Sequence, residues 1–258
     1  MDPSRTSGPP VAIDIRGLTK VFENTIAVGN LWLAIPRGSF YGIVGPNGAG
    51  KTTLLSMATG LLVPDDGVAY INGVDIWDEP AEAKAMLGVL PDGDRLFDRM
   101  SGTALVTYMG MLRGLDKETA QTRAAELMKA LGLDDTGSKM VADYSQGMTK
   151  KVALACALVH APKILVLDEP FESVDPISAA GIRELLDSFV ASGGTVVLSS
   201  HVMETVEKLC DHVAVIKDGQ VLAAGTTAQV ADGMSLDERF RQLVGGVTHA
   251  EGLDWLRQ

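Results

Sequence analysis

The sequence has little of what nucleic-acid-binding, disulfide-bonded or membrane-spanning proteins need. Its 22 basic and 33 acidic side chains give a net charge of −11, which argues against a general nucleic-acid surface because phosphate binding needs clustered Lys and Arg. Two cysteines, Cys156 and Cys210, form no disulfide or metal pattern, and the apolar run around Cys156 predicts a small buried side chain. No uninterrupted apolar stretch approaches the roughly 20 residues that span a bilayer, so we expect no direct membrane insertion.

The first ten residues, MDPSRTSGPP, lack the apolar core of a signal peptide, and we expect residues 1–10 to be a loose leader. Because 46% of the 258 residues are hydrophobic, the chain can bury a substantial core. We expect one main domain over 11–230 and a C-terminal helical tail over 231–258.

The order of apolar patterns predicts an α/β fold. Alternating residues near the start and a turn at Asn72-Gly73 predict a set of strands. The apolar runs Ile164–Leu167 and Thr195–Leu198 are short and continuous, which is typical of buried strands in a parallel sheet. Between these parts, about 92–150 has helical character, with Ser101 as an expected N-cap. This helical block interrupts the alternation of strands and helices.

Residues 45–52 satisfy the pattern G-x-x-x-x-G-K-[ST] between a predicted strand and a predicted helix. The glycines let backbone N–H groups curl around phosphate oxygens, and the helix presents its positive N-terminal end. We expect Lys51 to reach the β- and γ-phosphates and Thr52 to bind Mg²⁺. A chance glycine turn is the alternative, but the strand-to-helix context favours a phosphate loop. The predicted nucleotide-binding residues of this segment are Gly45, Pro46, Asn47, Gly48, Ala49, Gly50, Lys51, Thr52 and Thr53.

Two adjacent carboxylates, Asp168 and Glu169, follow the apolar strand Ile164–Leu167. Buried carboxylates are costly without cationic or hydrogen-bonding partners, and a Mg²⁺ ion with an attacking water would supply them. We predict that Asp168 holds the metal and Glu169 polarises the water. His201 follows the next core strand, at the edge where parallel sheets bind ligands, and is predicted to contact the γ-phosphate or the water. An acidic loop and a capping histidine are the simpler alternatives.

Over about 11–225, the order of these motifs resembles the nucleotide-binding subunit of an ABC transporter. The segment YSQGM at 144–148 stands where that family has its signature loop. The resemblance implies that Ser145 and the Gly147 amide bind the γ-phosphate of ATP held by a second subunit. The alternative for these residues is an ordinary helix N-terminus that Ser145 caps.

Two more parts of the sequence stand where the family has functional residues. Residues 173–176 resemble the loop that communicates across the dimer, and Phe22 stands where the family has an aromatic ring that stacks on adenine. Core packing is the alternative for Phe22.

The sequence departs from the family at two places. Asp92 replaces the usual Gln of the coupling loop, and a shorter, charged acceptor changes what this position offers to Mg²⁺; we still assign it to the metal region. In the signature, Gln146 and Met148 replace the common Gly and Gln, as in exporters that pair one ATPase chain with a separate membrane chain. The segment Ser235–Gly245 resembles the end of export-type subunits.

The resemblance implies a RecA-like P-loop NTPase core with an antiparallel β lobe and an inserted helical lobe at about 92–150. It implies hydrolysis of ATP with Mg²⁺ in a dimeric nucleotide sandwich, with a second copy as the expected partner. The motion would drive a membrane permease, in export, from the cytoplasmic face. A soluble ABC ATPase acting on DNA or ribosomes, and a nucleotide-binding regulator without hydrolysis, are the alternatives.

Overall fold

The computed structural model describes residues 10–93 and 96–245. The predicted leader, apart from Pro10, and the predicted tail from residue 246 onward lie outside the described residues. Two β-sheets organise the rest. Their strands are β1 (Val11–Phe22), β2 (Thr25–Pro36), β3 (Phe40–Val44), β4 (Asp66–Ile71), β5 (Val74–Asp75), β6 (Leu87–Leu90), β7 (Ile164–Asp168), β8 (Thr195–Ser200), β9 (His212–Lys217) and β10 (Gln220–Thr226).

The first sheet is antiparallel, with the strand order β2-β1-β4-β5. Its last hairpin turns at Asn72 and Gly73, whose φ angles of 52° and 91° are both positive, as a two-residue hairpin turn requires. This sheet is the antiparallel lobe that the sequence predicts.

The second sheet has the order β10-β9-β3-β8-β7-β6 and is parallel from β9 to β6. Strands β3, β7 and β8 are buried along their whole length, because both faces of the sheet are covered. All parallel strands point the same way, so their carboxyl ends form one edge. The predicted parallel core is confirmed.

Helices cover the parallel sheet and build a separate layer in the middle of the chain. They are α1 (Lys51–Ala58), α2 (Pro80–Ala85), α3 (Gly102–Leu112), α4 (Lys117–Ala130), α5 (Gln146–Leu158), α6 (Pro176–Ala191), α7 (Met203–Leu209), α8 (Thr227–Ala231) and α9 (Leu236–Val244). Within the described ranges, no helix is long and apolar enough to cross a membrane.

The helical lobe contains α3 and α4, and its first helix starts as predicted, since the Ser101 hydroxyl accepts a hydrogen bond from the Ala104 amide. The predicted end of the lobe at residue 150 falls inside α5. The second half of α5 is buried in the same hydrophobic cluster as the core sheet. It approaches β6 so closely that a Cβ on Gly88 would collide with the Ala157 carbonyl. One helix therefore serves both the lobe and the core.

Helix α1 ends at Ala58. Gly60 adopts a φ of 69°, and the amide of Leu61 donates to the carbonyl of Ser56 at 2.8 Å. A left-handed glycine with such a bond ends helices, because the chain reverses and satisfies the last carbonyls.

Hydrophobic clusters cover the two faces of the parallel sheet. Strand β3 contributes Phe40 and Val44 to one cluster and Tyr41 and Ile43 to the other, as the period-two alternation of a strand dictates. Cys156 is buried in the first cluster, and burial raises the pKa of its thiol to about 12. Its predicted structural role is therefore confirmed.

Two glycines test how tightly the layers pack. A Cβ on Gly42 of β3 would stand 2.5 Å from Cγ1 of Val206 in α7, and this stiff, buried side chain cannot move aside, so Gly42→Ala should lower the free energy of unfolding by about 1–3 kcal/mol. Gly181 lies in α6 with nothing within 4 Å of its Cβ position. Gly181→Ala should raise the free energy of unfolding by roughly 0.5–1 kcal/mol. Urea denaturation of both variants measures the difference, and equal effects would contradict the described packing of α7 on β3.

Candidate functional site

A cavity of about 490 Å³ lies at the carboxyl-terminal edge of the parallel sheet. Predicted residues from distant parts of the chain line it: Asn47, Gly48, Ala49, Gly50, Lys51, Thr52, Thr53, Asp92, Glu169 and His201. Ala27 and Glu172 also line it, and the sequence analysis missed both. Ala27 carries no polar side chain that would mark it, and Glu172 stands outside the strand-end pattern that singled out its neighbours.

The phosphate loop is a tight turn between β3 and α1. Gly50 caps α1 with a φ of 98° and without a side-chain hydrogen bond, so the first amides of the helix remain available to an anion. A Cβ at Gly50 would collide with the Ala27 carbonyl, so this position also needs glycine for the close approach of the first sheet.

Lys51 is buried against the loop that it follows. Its ammonium group donates to the carbonyl of Gly45 at 2.8 Å and to that of Pro46 at 3.2 Å. An ammonium has three N–H donors, so one is left for a phosphate oxygen. Gly45 and Pro46 do not line the cavity. Their carbonyls hold the ammonium group of Lys51, which does line it.

The two predicted carboxylates have different surroundings. Asp168 is 3% exposed and accepts a hydrogen bond from the Ser199 hydroxyl. Glu169 has a φ of 47°, its amide donates to the Ser199 hydroxyl oxygen at 3.0 Å, and its Oε1 lies 3.1 Å from Nδ1 of His201. The strand ends thus bring Asp168, Glu169 and His201 together, as predicted.

Sequence analysis missed Ser199, whose hydroxyl forms hydrogen bonds to both acidic residues. Its signal in the sequence is faint, because a serine at the end of an apolar strand is common and carries no motif. Only the parallel pairing of β7 with β8 sets Ser199 opposite Asp168.

Six predicted residues do not line the cavity of this chain: Gly45, Pro46, Asp168, Phe22, Ser145 and Gly147. Phe22 ends β1 and is 47% exposed, which excludes the core-packing alternative. Ser145 caps α5, since its hydroxyl accepts a hydrogen bond from the Met148 amide at 3.3 Å. The alternative of an ordinary helix cap therefore describes the local structure of Ser145 correctly. A cap on a partly exposed helix end leaves the same surface open to a second chain.

The loop at residues 173–176 lies beside the N-terminus of α5, because the Ser173 carbonyl is 3.6 Å from the Cβ position of Gly147. Asp175 caps α6 by accepting from the amides of Ile177 and Ser178. The hydrogen bonds from Ser178 hold the pKa of Asp175 below its usual range. This loop and the start of α5 form one continuous surface.

The donors around the cavity suit a metal ion that is shared with a phosphate ligand. In residues 10–93 and 96–245, no group of three or more His, Cys, Asp or Glu side chains could hold a metal ion. Mg²⁺, however, is usually held by one or two carboxylates together with substrate phosphates and water. The hydroxyl of Thr52 and the carboxylates of Asp168 and Asp92 are oxygen donors of that kind, so the residues present fit the ion.

Comparisons with known proteins show what this chain is similar to. Residues 28–172 match the family described as ABC transporter. A daunorubicin/doxorubicin resistance ATP-binding protein of Streptomyces peucetius is 37% identical over 222 residues, covering 86% of this chain and 67% of the relative. A Nod factor export ATP-binding protein of Cupriavidus pinatubonensis is 33% identical over 232 residues, covering 89% of this chain and 71% of the relative. A solved dimeric ATP-binding cassette in a post-hydrolysis state, bound to ADP and Pi, has a TM-score of 0.76 at 25% identity, covering 83% of this chain and 98% of that one.

Replacing Lys51 tests whether the loop binds phosphate. Lys51→Ala should weaken ATP binding about tenfold or more, because a charge-assisted hydrogen bond to phosphate contributes about 1.5–3 kcal/mol. Lys163 is a matched control, since it lines a different cavity beside Gly193, Gly194 and Thr195, at the opposite edge of the sheet. Calorimetric titration with ATP should show unchanged affinity for Lys163→Ala, and an equal loss in both variants would contradict the assignment.

Proposed function

This chain belongs to the ABC transporter family as an ATP-binding subunit that hydrolyses ATP, and from that premise we propose a role for each residue of its site. The observation that carries the proposal is the meeting of the phosphate loop with the Glu169–His201 pair in one cavity. That arrangement places a phosphate cradle and a group that can polarise water on the same edge of the sheet.

Glu169 orients and polarises the water that attacks the γ-phosphate. A carboxylate accepts a hydrogen bond from water, and His201 holds the other side of that carboxylate when its Nδ1 carries the proton. His201 is also 48% exposed in its side chain, so it can contact the γ-phosphate directly. General base assistance of this kind contributes about 10²–10⁴-fold to a rate.

The phosphate loop and the oxygen donors beside it hold the nucleotide and its metal. Lys51 and the backbone N–H groups of residues 45–53, of which Pro46 has none, bind the phosphates, while Thr52 and Asp168, with Asp92, would hold Mg²⁺. The ion, when bound, neutralises charge on the phosphate oxygens. Phe22 offers adenine an exposed ring, with the Lys20 ammonium already 5.7 Å from the ring centroid.

A second copy of this chain completes each site. The solved cassette to which the chain is similar is dimeric, and among the described residues Ser145 and Gly147 do not line the cavity of the single chain. Ser145 and the Gly147 amide lie at the exposed start of α5, and the second copy supplies them to the γ-phosphate. The neighbouring loop at 173–176 then lies at the contact between the two copies.

The partner that the ATPase drives is a membrane permease. An exposed apolar surface supports this: Phe97, Tyr108, Met111 and Leu112 are each at least 41% exposed, and Phe97 packs edge-on against Tyr108 at 5.9 Å. Apolar patches of this kind mark contacts with other proteins. Attachment to a permease through such a surface places the chain at the cytoplasmic face of the membrane.

Export is the direction of transport that we infer. One relative is a Nod factor export protein, the signature residues Gln146 and Met148 match the exporter pattern, and Ser235–Gly245 matches the end of export-type subunits. That last segment forms α9, which begins with a complete capping box between Ser235 and Glu238. No observation favours action on DNA or ribosomes, and the net charge of −11 disfavours it.

Glu169→Gln should lower the rate of phosphate release about a hundredfold or more while ATP binding persists, because the charge that polarises water is lost and the cradle remains. The variant should also retain ATP-bound dimers longer on gel filtration. Glu204 is a suitable control, as an exposed carboxylate paired with Lys208 on α7. Glu204→Gln should release phosphate at the normal rate, whereas normal release by Glu169→Gln would remove Glu169 from its role.

Shared sites can be tested by complementation between two inactive variants. Ser145→Arg fills the γ-phosphate space from one side of the site. Lys51→Ala weakens phosphate binding from the other side, so each homodimer should be inactive. In a mixed dimer, one site combines both defects and the other joins an intact Lys51 to an intact Ser145. Co-expression under two tags should yield mixed dimers that recover part of the ATPase activity.

The purified parental homodimers are the controls for this experiment. A verified mixed dimer as inactive as either parent would contradict independent shared sites. Full activity of the Ser145→Arg homodimer would contradict the signature assignment itself.

A further inference from the structure

Glu169 has a backbone conformation that needs support. Its φ of 47° lies in the left-handed region, which residues with a side chain rarely adopt and keep only when their surroundings hold them there. The residue directly follows β7, so the chain leaves the extended conformation of the strand at Glu169. What holds the backbone therefore decides where the carboxylate stands.

Ser199 supplies that support with a single hydroxyl group. Its oxygen accepts the Glu169 amide at 3.0 Å, and its proton goes to Oδ1 of Asp168. A hydroxyl can donate once and accept at the same time, so the two bonds fix its orientation. Ser199 has no exposed surface, which means that water cannot readily replace a bond that is lost.

The end of β8 therefore holds Glu169 at two points. Ser199 binds its backbone amide, and His201, two residues further along, lies 3.1 Å from its carboxylate. Ser199 lies in β8 and His201 directly follows this strand, so the backbone at the end of β8 sets the distance between the two anchors. Loss of the first anchor lets the backbone of Glu169 relax while His201 stays in place.

We propose that Ser199 is a positioning residue for ATP hydrolysis, whose hydroxyl holds the Glu169 backbone so that the carboxylate meets His201 and the attacking water. The inference rests on the role proposed above for Glu169. A misplacement on the order of 1 Å at a reacting group lowers rates up to about a hundredfold. The hydrogen bonds of the Ser199 hydroxyl go to Glu169 and Asp168 and not to the phosphate loop, and Ser199→Ala leaves the Asp168 carboxylate in place for the metal, so affinity for ATP should be kept.

Ser200 provides a matched control on the same strand. It is 6% exposed, and its hydroxyl also accepts a backbone amide, that of Val202 at 3.0 Å. Among the described residues, its hydroxyl makes no hydrogen bond to Asp168 or Glu169. A merely structural contribution of a buried serine hydroxyl would therefore affect both positions alike.

The experiment compares Ser199→Ala, Ser199→Thr and Ser200→Ala in the full chain. Ser199→Ala should lower kcat about tenfold to a hundredfold, with KM and the Kd for ATP unchanged. Amide hydrogen exchange at Glu169 should become faster in the same variant without nucleotide, which is a readout independent of turnover. Ser199→Thr keeps the hydroxyl and should restore both properties, and Ser200→Ala should match the unaltered protein.

Three results would overturn the proposal: a normal kcat in Ser199→Ala, an equal loss in Ser200→Ala, or a loss that appears in ATP affinity and not in kcat. If the added methyl of Ser199→Thr does not fit, the pair Ser199→Ala and Ser200→Ala decides alone. The variant Glu169→Gln separates the positioning role of Ser199 from the function proposed for Glu169. A slow Glu169→Gln with a normal Ser199→Ala refutes only the positioning role, whereas a normal Glu169→Gln refutes the function proposed for Glu169.

Discussion

The parallel pairing of β3, β8 and β7 is the constraint on which the site depends. Asp168 stands opposite Ser199, and Val44 opposite Ser200, in the register of these strands. Because each strand is buried on both faces, a slip of one residue would turn apolar side chains toward the wrong cluster. The hydrophobic packing that stabilises the fold therefore also sets the loop, the acids and the histidine at one edge.

The phosphate loop is held by both sheets as well. The Gly219 amide, in the turn between β9 and β10, donates to the Ala49 carbonyl at 3.0 Å, and the Gly29 amide of β2 donates to the Gly219 carbonyl at 3.1 Å. The antiparallel lobe thus reaches the loop through main-chain contacts that depend little on side-chain type. Such contacts suit a loop that must present its amides in a defined direction to a phosphate.

Residues 144–148, proposed as the signature segment, combine a local and a functional explanation. Ser145 caps α5, and the same helix end is the surface that a second copy would use. The first part of α5 carries that surface, and its second part is buried in the core. A rearrangement at the contact between two copies would therefore be transmitted directly to the core sheet, because one helix spans both.

Local patterns in the sequence predict which residues gather at the site. The spacing of glycines before Lys51, the acids after an apolar strand and the histidine after the next one each depend on local pattern, and the structure gathers them as expected. Strand and helix types followed from periodicity for the same reason. Three features required the folded structure: the packing of α5 against the core, the exposure of Phe22, and the hydrogen bonds of Ser199 to both acids. These features depend on which strands pair and in which register, and that choice reflects packing between residues far apart in the chain, which no local pattern contains.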